Sequence, residues 1–286
     1  MAGVESPKEW PERVVWVQSL VESELKEIPN RYIRPAAERP TVDGVENGAA
    51  GGLNIPTIDL GGLLRGNSVE RQRTLEMVSD ACRQWGFFQV INHGVGLELV
   101  RRARQVWRDF FYLPMEQKQV YANSPSTYEG YGSRIGVAKA PVLDWGDYFY
   151  LNLRPYPSRN MEKWPVSPTS FRDVVEEYGG ELAKLSELLL GVISESLGLD
   201  DGYLQRSFGG EEMGTSLRVN YYPRCPQPDL TLGLSPHSDP GVLTLLLPDE
   251  RVDGLQVRRG DAWVTVRSVP NSFIINIGDQ IQLLTS

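Results

Sequence analysis

The stretch that decides the reading is SPHSDPGVLTLLLPDE, residues 235–250. Its H-x-D pair, His237 and Asp239, opens an apolar run. On a strand, residues two apart share a face, so one imidazole and one carboxylate would point at one place. A non-haem iron site of the two-histidine, one-carboxylate kind needs those two groups and a second imidazole, with positions left open for ligands. The bland alternative is a hydrogen-bonded pair at a strand end. The only other histidine, His93, ends FFQVINH in an N-H-G turn, where a structural hydrogen-bonding role outweighs ligation. Ser235 would fall on the same face, but alternate residues of one strand cannot reach the geometry of a Ser-His-Asp triad. There is no G-x-S-x-G elbow either, so a hydrolase is excluded.

Working outward, the segments after Thr215 read as a β core. SLRVNYYP, GLSPHSD, VLTLLLPD, LQVRR, WVTVR and SFIINIGD form short strands separated by Pro, Gly and Asp, the pattern of an all-β sandwich or barrel. After them comes QIQLLTS, which reads as neither a closing strand nor a helix. Arg218, Asn220 and Tyr222 alternate within SLRVNYYP and are expected on one face. A guanidinium, an amide and a phenol together suit an anionic or oxygen-rich small molecule. Tyr148 and Tyr150 alternate in DYFYLNL (147–153) and either line a pocket or fill the core.

Upstream the chain is rich in helix. NIPTIDL (54–60) and FFQVINH (87–93) read as strands. Helices are expected from about Ser68 to Trp85, capped by Asn67 or Ser68 and stopped by Gly86, and from about Leu97 to Tyr112, with Pro114 able to start another. Residues 171–197 carry apolar side chains at helical spacing up to Gly198. YEGYGSRIG (128–136) reads as a loop, residues 1–34 as partly helical and 35–52 as a Pro/Gly-rich linker. The expected domains are 1–53, an N-terminal helical segment with its linker; 54–214, a helix-rich region; and 215–286, the β core.

Bulk properties exclude some partners. A net charge of −8 disfavours a general nucleic-acid or anionic-membrane binder, and the basic run RRARQVWR (101–108) reads as a solvated helix face. Two cysteines, Cys82 and Cys225, make neither a disulfide framework nor a zinc motif. The N-terminus lacks an apolar signal core and no apolar run is long enough to span a bilayer. A reduced, cytoplasmic protein is expected.

Four stretches, GFFQVINHGV (86–95), EGYGSR (129–134), NYYPRCPQPDLTLGLSPHSD (220–239) and GLQVRRGDAWVTVRSVPNSFIINIGD (254–279), together resemble the plant Fe(II)/2-oxoglutarate-dependent dioxygenases. That group includes anthocyanidin synthase, flavonol synthase and the jasmonate oxidases. EGYGSR, LDWGDYFYLNL (143–153), SLRVNYYP (216–223) and LGLSPHSDPG (232–241) look most like the jasmonate-oxidase branch. The resemblance implies an α+β fold: a double-stranded β-helix (jelly-roll) core, incomplete at its C-terminal end, with a helical N-terminal region packed on it. It implies Fe(II) as cofactor, 2-oxoglutarate as cosubstrate and ascorbate as reductant. His237 and Asp239 match metal ligands, Asn220 and Tyr222 match 2-oxoglutarate-binding positions, and Arg218, Tyr148 and Tyr150 match substrate-facing positions.

The family's second histidine and its R-x-S motif would follow Ser286. The expectation is therefore a truncated chain with six of eight core strands, weak iron binding and weak or no activity. The expected reaction is hydroxylation of a small carboxylic acid, jasmonic acid foremost, by a monomer without nucleic-acid or membrane partners. The alternatives are a flavonoid-oxidising dioxygenase of the anthocyanidin or flavonol synthase type and a non-catalytic product that only binds.

Overall fold

The computed structural model describes residues 15–39, 54–124, 127–133 and 142–285. It divides into two compact units, each assembled from separate parts of the chain.

The first unit takes Met1–Thr41, Arg102–Glu176 and Gly214–Pro236. Its sheet has the order β3-β4-β5, with β3 Gly130–Gly132, β4 Asp147–Arg154 and β5 Thr215–Tyr221, all antiparallel. Strand β4 is divided by its alternation. Phe149 and Leu151 on one face are fully buried. Phe149 packs edge-on against Phe110, ring centroids 4.9 Å apart, within a cluster that also holds Trp107 and Phe171. The expected loop at 128–136 contains a strand instead. Gly130 has φ +106° and passes so close to the Tyr121 carbonyl that a Cβ would lie 2.2 Å from it. Only glycine allows that approach, and it lets the short strand pair with β4. Arg134 and its successors in that loop lie outside the described residues.

Asp147 opens β4 and ties down the N-terminal segment. Its carboxylate accepts from the backbone N–H of Val17 at 2.9 Å and of Gln18 at 2.8 Å, at the start of helix Val17–Glu22. The fully buried Lys118 donates to Gln18 Oε1 at 2.6 Å and to the Phe111 carbonyl at 2.9 Å. Of residues 1–34, expected to be partly helical, 15–34 are described and hold this turn-and-a-half and a 3₁₀ turn, Asn30–Tyr32. Most of the expected linker lies outside them.

The second unit takes Val42–Arg101, Glu177–Met213 and His237–Ser286. Its main sheet has the order β1-β2-β9-β6: β1 Thr57–Asp59, β2 Phe87–Ile91, β9 Phe273–Ile277 and β6 Leu243–Leu246. Strands β1 and β2 are parallel, and β9 is antiparallel to both of its neighbours. A hairpin of β7 Gln256–Arg259 and β8 Ala262–Thr265 turns at Gly260, φ +60°. Val257 of the hairpin, Val266 just beyond it, Ile55 and Ile274 form a buried cluster, with Leu246 and Trp85 packed on it. The helix Ser68–Gln84 starts as expected. Asn67 and Glu70 make a reciprocal capping box, which satisfies N–H groups that the first turn leaves unpaired.

Two expectations fail here. GLSPHSD is not a strand, so five of the six expected core strands are present, none of them holding His237. Pro236 and Pro240 bracket the H-x-D and cannot donate ladder hydrogen bonds. The QIQLLTS tail, read as neither strand nor helix, lies largely in a helix, Asp279–Thr285. Asp279 in its first turn favours the helix N-terminus, and Ile281 is buried. No helix among the described residues is long and apolar enough to cross a membrane.

Burial raises the Asp147 carboxyl from 3.8 to about 6, against the two backbone amides that favour its charge. A folded-state pKa above the unfolded one contributes stability below the unfolded value, and that contribution is lost as pH rises through the folded value. The window here is pH 3.8 to about 6. The difference in unfolding free energy between the unaltered chain and Asp147→Ala, from urea melts, is predicted to be larger at about pH 4 than at about pH 7 by roughly 2–3 kcal/mol. An equal difference at both would mean that folding does not shift this carboxyl.

Candidate functional site

In the second unit the two H-x-D side chains do converge, although not as strand neighbours. His237 Nε2 lies 3.5 Å from Asp239 Oδ1. The other carboxylate oxygen, Oδ2, accepts from Thr244 Oγ1 at 2.6 Å and from Asn276 Nδ2 at 2.9 Å. The His237 imidazole first, then hydrogen bonds from Thr244 and Asn276, hold this carboxyl well below the usual carboxylate range despite its burial. The backbone is fixed as well: Asp279 N–H donates to the Asp239 carbonyl at 2.8 Å, and Gly278 N–H to the Val242 carbonyl at 2.9 Å. Ser238 Oγ lies 3.0 Å from Asp279 Oδ2 and donates to it. The 238–242 loop is thus clamped by the turn that follows β9.

An imidazole and an ionised carboxylate are two of the three donors of a facial iron site, and their chemistry fits Fe(II). Among the described residues no group of three or more His, Cys, Asp or Glu side chains gathers for a metal. His93 is otherwise engaged. Its Nε2 lies 3.1 Å from the Asn271 carbonyl, its Nδ1 accepts from Val95 N–H at 3.2 Å, and its ring meets Phe273 edge-on. Those partners require a neutral ring protonated at Nε2, and burial lowers its pKa accordingly.

The first unit gathers the other candidates on the second face of the β4–β5 pair. Tyr148 lies opposite Asn220 and Tyr150 opposite Arg218. Arg218 reaches diagonally over the Tyr148 ring, 5.1 Å from its centroid, a distance at which a cation is attracted to the ring face. Tyr148 is 2 % exposed and its hydroxyl accepts from Asn123 Nδ2 at 2.8 Å. Burial pushes that phenol up to about 12, with the nearby Arg218 charge opposing. Arg218 itself is exposed, and among the described residues no carboxylate pairs with it. Tyr222 departs from expectation, for β5 ends at Tyr221. Its ring lies over Gly146 and Gly233, where a Cβ would come within 3.0 and 2.8 Å of its Cδ1. Both glycines make room for the ring.

Sequence reasoning missed Thr244, Asn276 and the Gly278–Asp279 turn. Thr244 and Asn276 stand among apolar neighbours on their strands, a polar anomaly that could have marked them. It also left Ser235 without a role. The Ser235 hydroxyl donates to Asp144 Oδ1 at 2.5 Å and accepts from Arg34 at 2.6 Å, and Arg34 in turn pairs with Asp144.

Residues 55–167 match the family described as non-haem dioxygenase in morphine synthesis N-terminal, and residues 214–286 match the 2OG-Fe(II) oxygenase superfamily. Jasmonate-induced oxygenase 1 of Arabidopsis thaliana is 54% identical over 98% of this chain and 69% of its own length. Flavanone 3-dioxygenase 2 of Oryza sativa subsp. japonica is 40% identical over 91% of this chain and 72% of its own. The crystal structure of JOX2 in complex with 2OG, Fe and JA superposes with a TM-score of 0.86 at 53% identity, covering 97% of this chain and 77% of that one. The fold is therefore the double-stranded β-helix of these oxygenases, with mixed helix and sheet as expected.

The clamp on the 238–242 loop has a steric test. A Cβ at Gly278 would lie 2.1 Å from the Gly241 carbonyl oxygen, whereas one at Gly241 meets nothing within 4 Å. Gly278→Ala is predicted to lower stability by about 1–3 kcal/mol and Gly241→Ala to leave it unchanged, both read from thermal melts.

Proposed function

Because the chain belongs to the 2OG-Fe(II) oxygenase superfamily, we propose that it hydroxylates a small carboxylic acid, jasmonic acid in the first place, with 2-oxoglutarate as cosubstrate. In this reading His237 and Asp239 hold Fe(II), Asn220 and Tyr222 hydrogen-bond 2-oxoglutarate, and Arg218 pairs with the substrate carboxylate. Tyr148 supports the guanidinium from below, and Tyr150 contributes a second aromatic surface on the same face. Fe(II), when bound, supplies the activation of O₂ that is coupled to decarboxylation of 2-oxoglutarate, and ascorbate keeps the metal reduced. The chain's own residues orient the two acids.

The observation that carries the reading is Arg218: an exposed guanidinium braced on a buried tyrosine, with no carboxylate of its own among the described residues. Such a group is suited to a carboxylate ligand through paired, charge-assisted hydrogen bonds. The similarity to JOX2, solved with JA, favours jasmonate over a flavonoid. The proposal includes action as a cytoplasmic monomer without nucleic-acid or membrane partners; the net charge of −8 supports the exclusion of polyanions.

Succinate formation by the purified chain with Fe(II), 2-oxoglutarate and ascorbate tests the function. It is predicted to require jasmonic acid and to disappear in Asp239→Ala. Succinate that persists in that variant, or that a flavonoid elicits and jasmonic acid does not, contradicts the proposal. For Arg218, loss of a charge-assisted pair worth roughly 1.5–3 kcal/mol predicts a KM for jasmonic acid raised about 10- to 100-fold in Arg218→Ala. Methyl jasmonate, which lacks the carboxylate, is predicted to show nearly the same KM in both proteins.

A further inference from the structure

We propose that Thr244 and Asn276 are positioning residues that leave Asp239 Oδ1 as the single carboxylate oxygen available to the metal. The inference rests on the reading of His237 and Asp239 as metal ligands. Thr244 and Asn276 are direct partners in the β6–β9 register. Partners opposite one another across two strands share a face. From that face both side chains donate to one atom, Asp239 Oδ2, at 2.6 and 2.9 Å.

A carboxylate oxygen has about two lone-pair positions. The threonine hydroxyl and the asparagine amide fill both on Oδ2, whereas Oδ1 faces His237 Nε2 at 3.5 Å, beyond an ordinary hydrogen bond. The carboxylate is therefore not symmetric. One oxygen is anchored to the sheet, and the other is directed toward the imidazole that completes the pair. With the Asp239 carbonyl also held by Asp279 N–H, rotation that would present both oxygens to one ion breaks two hydrogen bonds at once. Two strands thus hold one oxygen and leave the other for a metal, on which Thr244 and Asn276 would act only through Asp239.

Outer partners of a ligating carboxylate typically change metal affinity 10- to 100-fold. The test is titration of the purified chain with Co(II), a spectroscopically visible substitute, followed by absorption, beside thermal melts of the metal-free proteins. Thr244→Val keeps the shape and removes the donor; it is expected to weaken Co(II) binding about 10-fold and to alter the absorption band. Thr244→Ser is expected to restore both. Asn276→Ala is expected to weaken binding similarly. Co(II) affinity and spectrum unchanged in Thr244→Val and Asn276→Ala, while Asp239→Ala abolishes binding, would overturn this inference and leave the metal reading intact. A lowered melting temperature without a change in Co(II) affinity would also overturn it. Binding that does not depend on Asp239 would overturn the metal reading and this inference with it.

Discussion

The antiparallel register of β6 on β9 is the constraint on which the second unit depends. Leu246 pairs with Ile274 and Leu245 with Ile275, both isoleucines fully buried. Burying such a side chain is worth about 1.5–3 kcal/mol, more than the roughly 1 kcal/mol net of a typical hydrogen bond. Apolar burial therefore sets the register, and the polar pair Thr244–Asn276 follows from it. A one-residue slip would turn every side chain of β6 to the other face. Thr244 would leave Asp239, and a leucine would stand opposite Asn276. The geometry of the H-x-D pair is thus fixed by apolar residues that do not touch it.

In the first unit one strand performs the equivalent task. The faces of β4 are separated by Phe149 and Leu151, which belong to the core, so Tyr148 and Tyr150 fall together on the other side. Asp147 fixes the beginning of the strand through two backbone amides of the N-terminal helix. Tyr148 is consequently rigid, neutral near physiological pH and held at its hydroxyl by Asn123. The cation–π contact above it contributes about 0.5–1 kcal/mol at an exposed position. It also holds the Arg218 guanidinium, a planar fork of donors, over the ring.

Much of this was legible in the sequence. Asn67, one of the two expected caps, and Gly86 and Gly198 after apolar helical patterns marked helix ends that the structure reproduces. The β-branched runs marked five core strands. Several of the failures depend on contacts that the local pattern does not show. Gly130 can enter a strand because it alone can pass the Tyr121 carbonyl, and GLSPHSD stays irregular because Pro236 and Pro240 bracket the H-x-D while the Asp239 carbonyl is taken by Asp279 N–H. Tyr222 leaves the strand because two glycines far from it in sequence open a place for its ring. The H-x-D pair was readable from residue types alone. Its orientation was not, since Thr244 and Asn276 acquire meaning only when β6 and β9 are paired.

The measurement that tests the central claim most directly is anomalous diffraction from crystals of the chain grown with Mn(II) and 2-oxoglutarate. The account predicts a single strong peak shared by His237 Nε2 and Asp239 Oδ1, with Oδ2 still bonded to Thr244 and Asn276. A peak at His93, or at both oxygens of Asp239, or no peak at the pair, would contradict it.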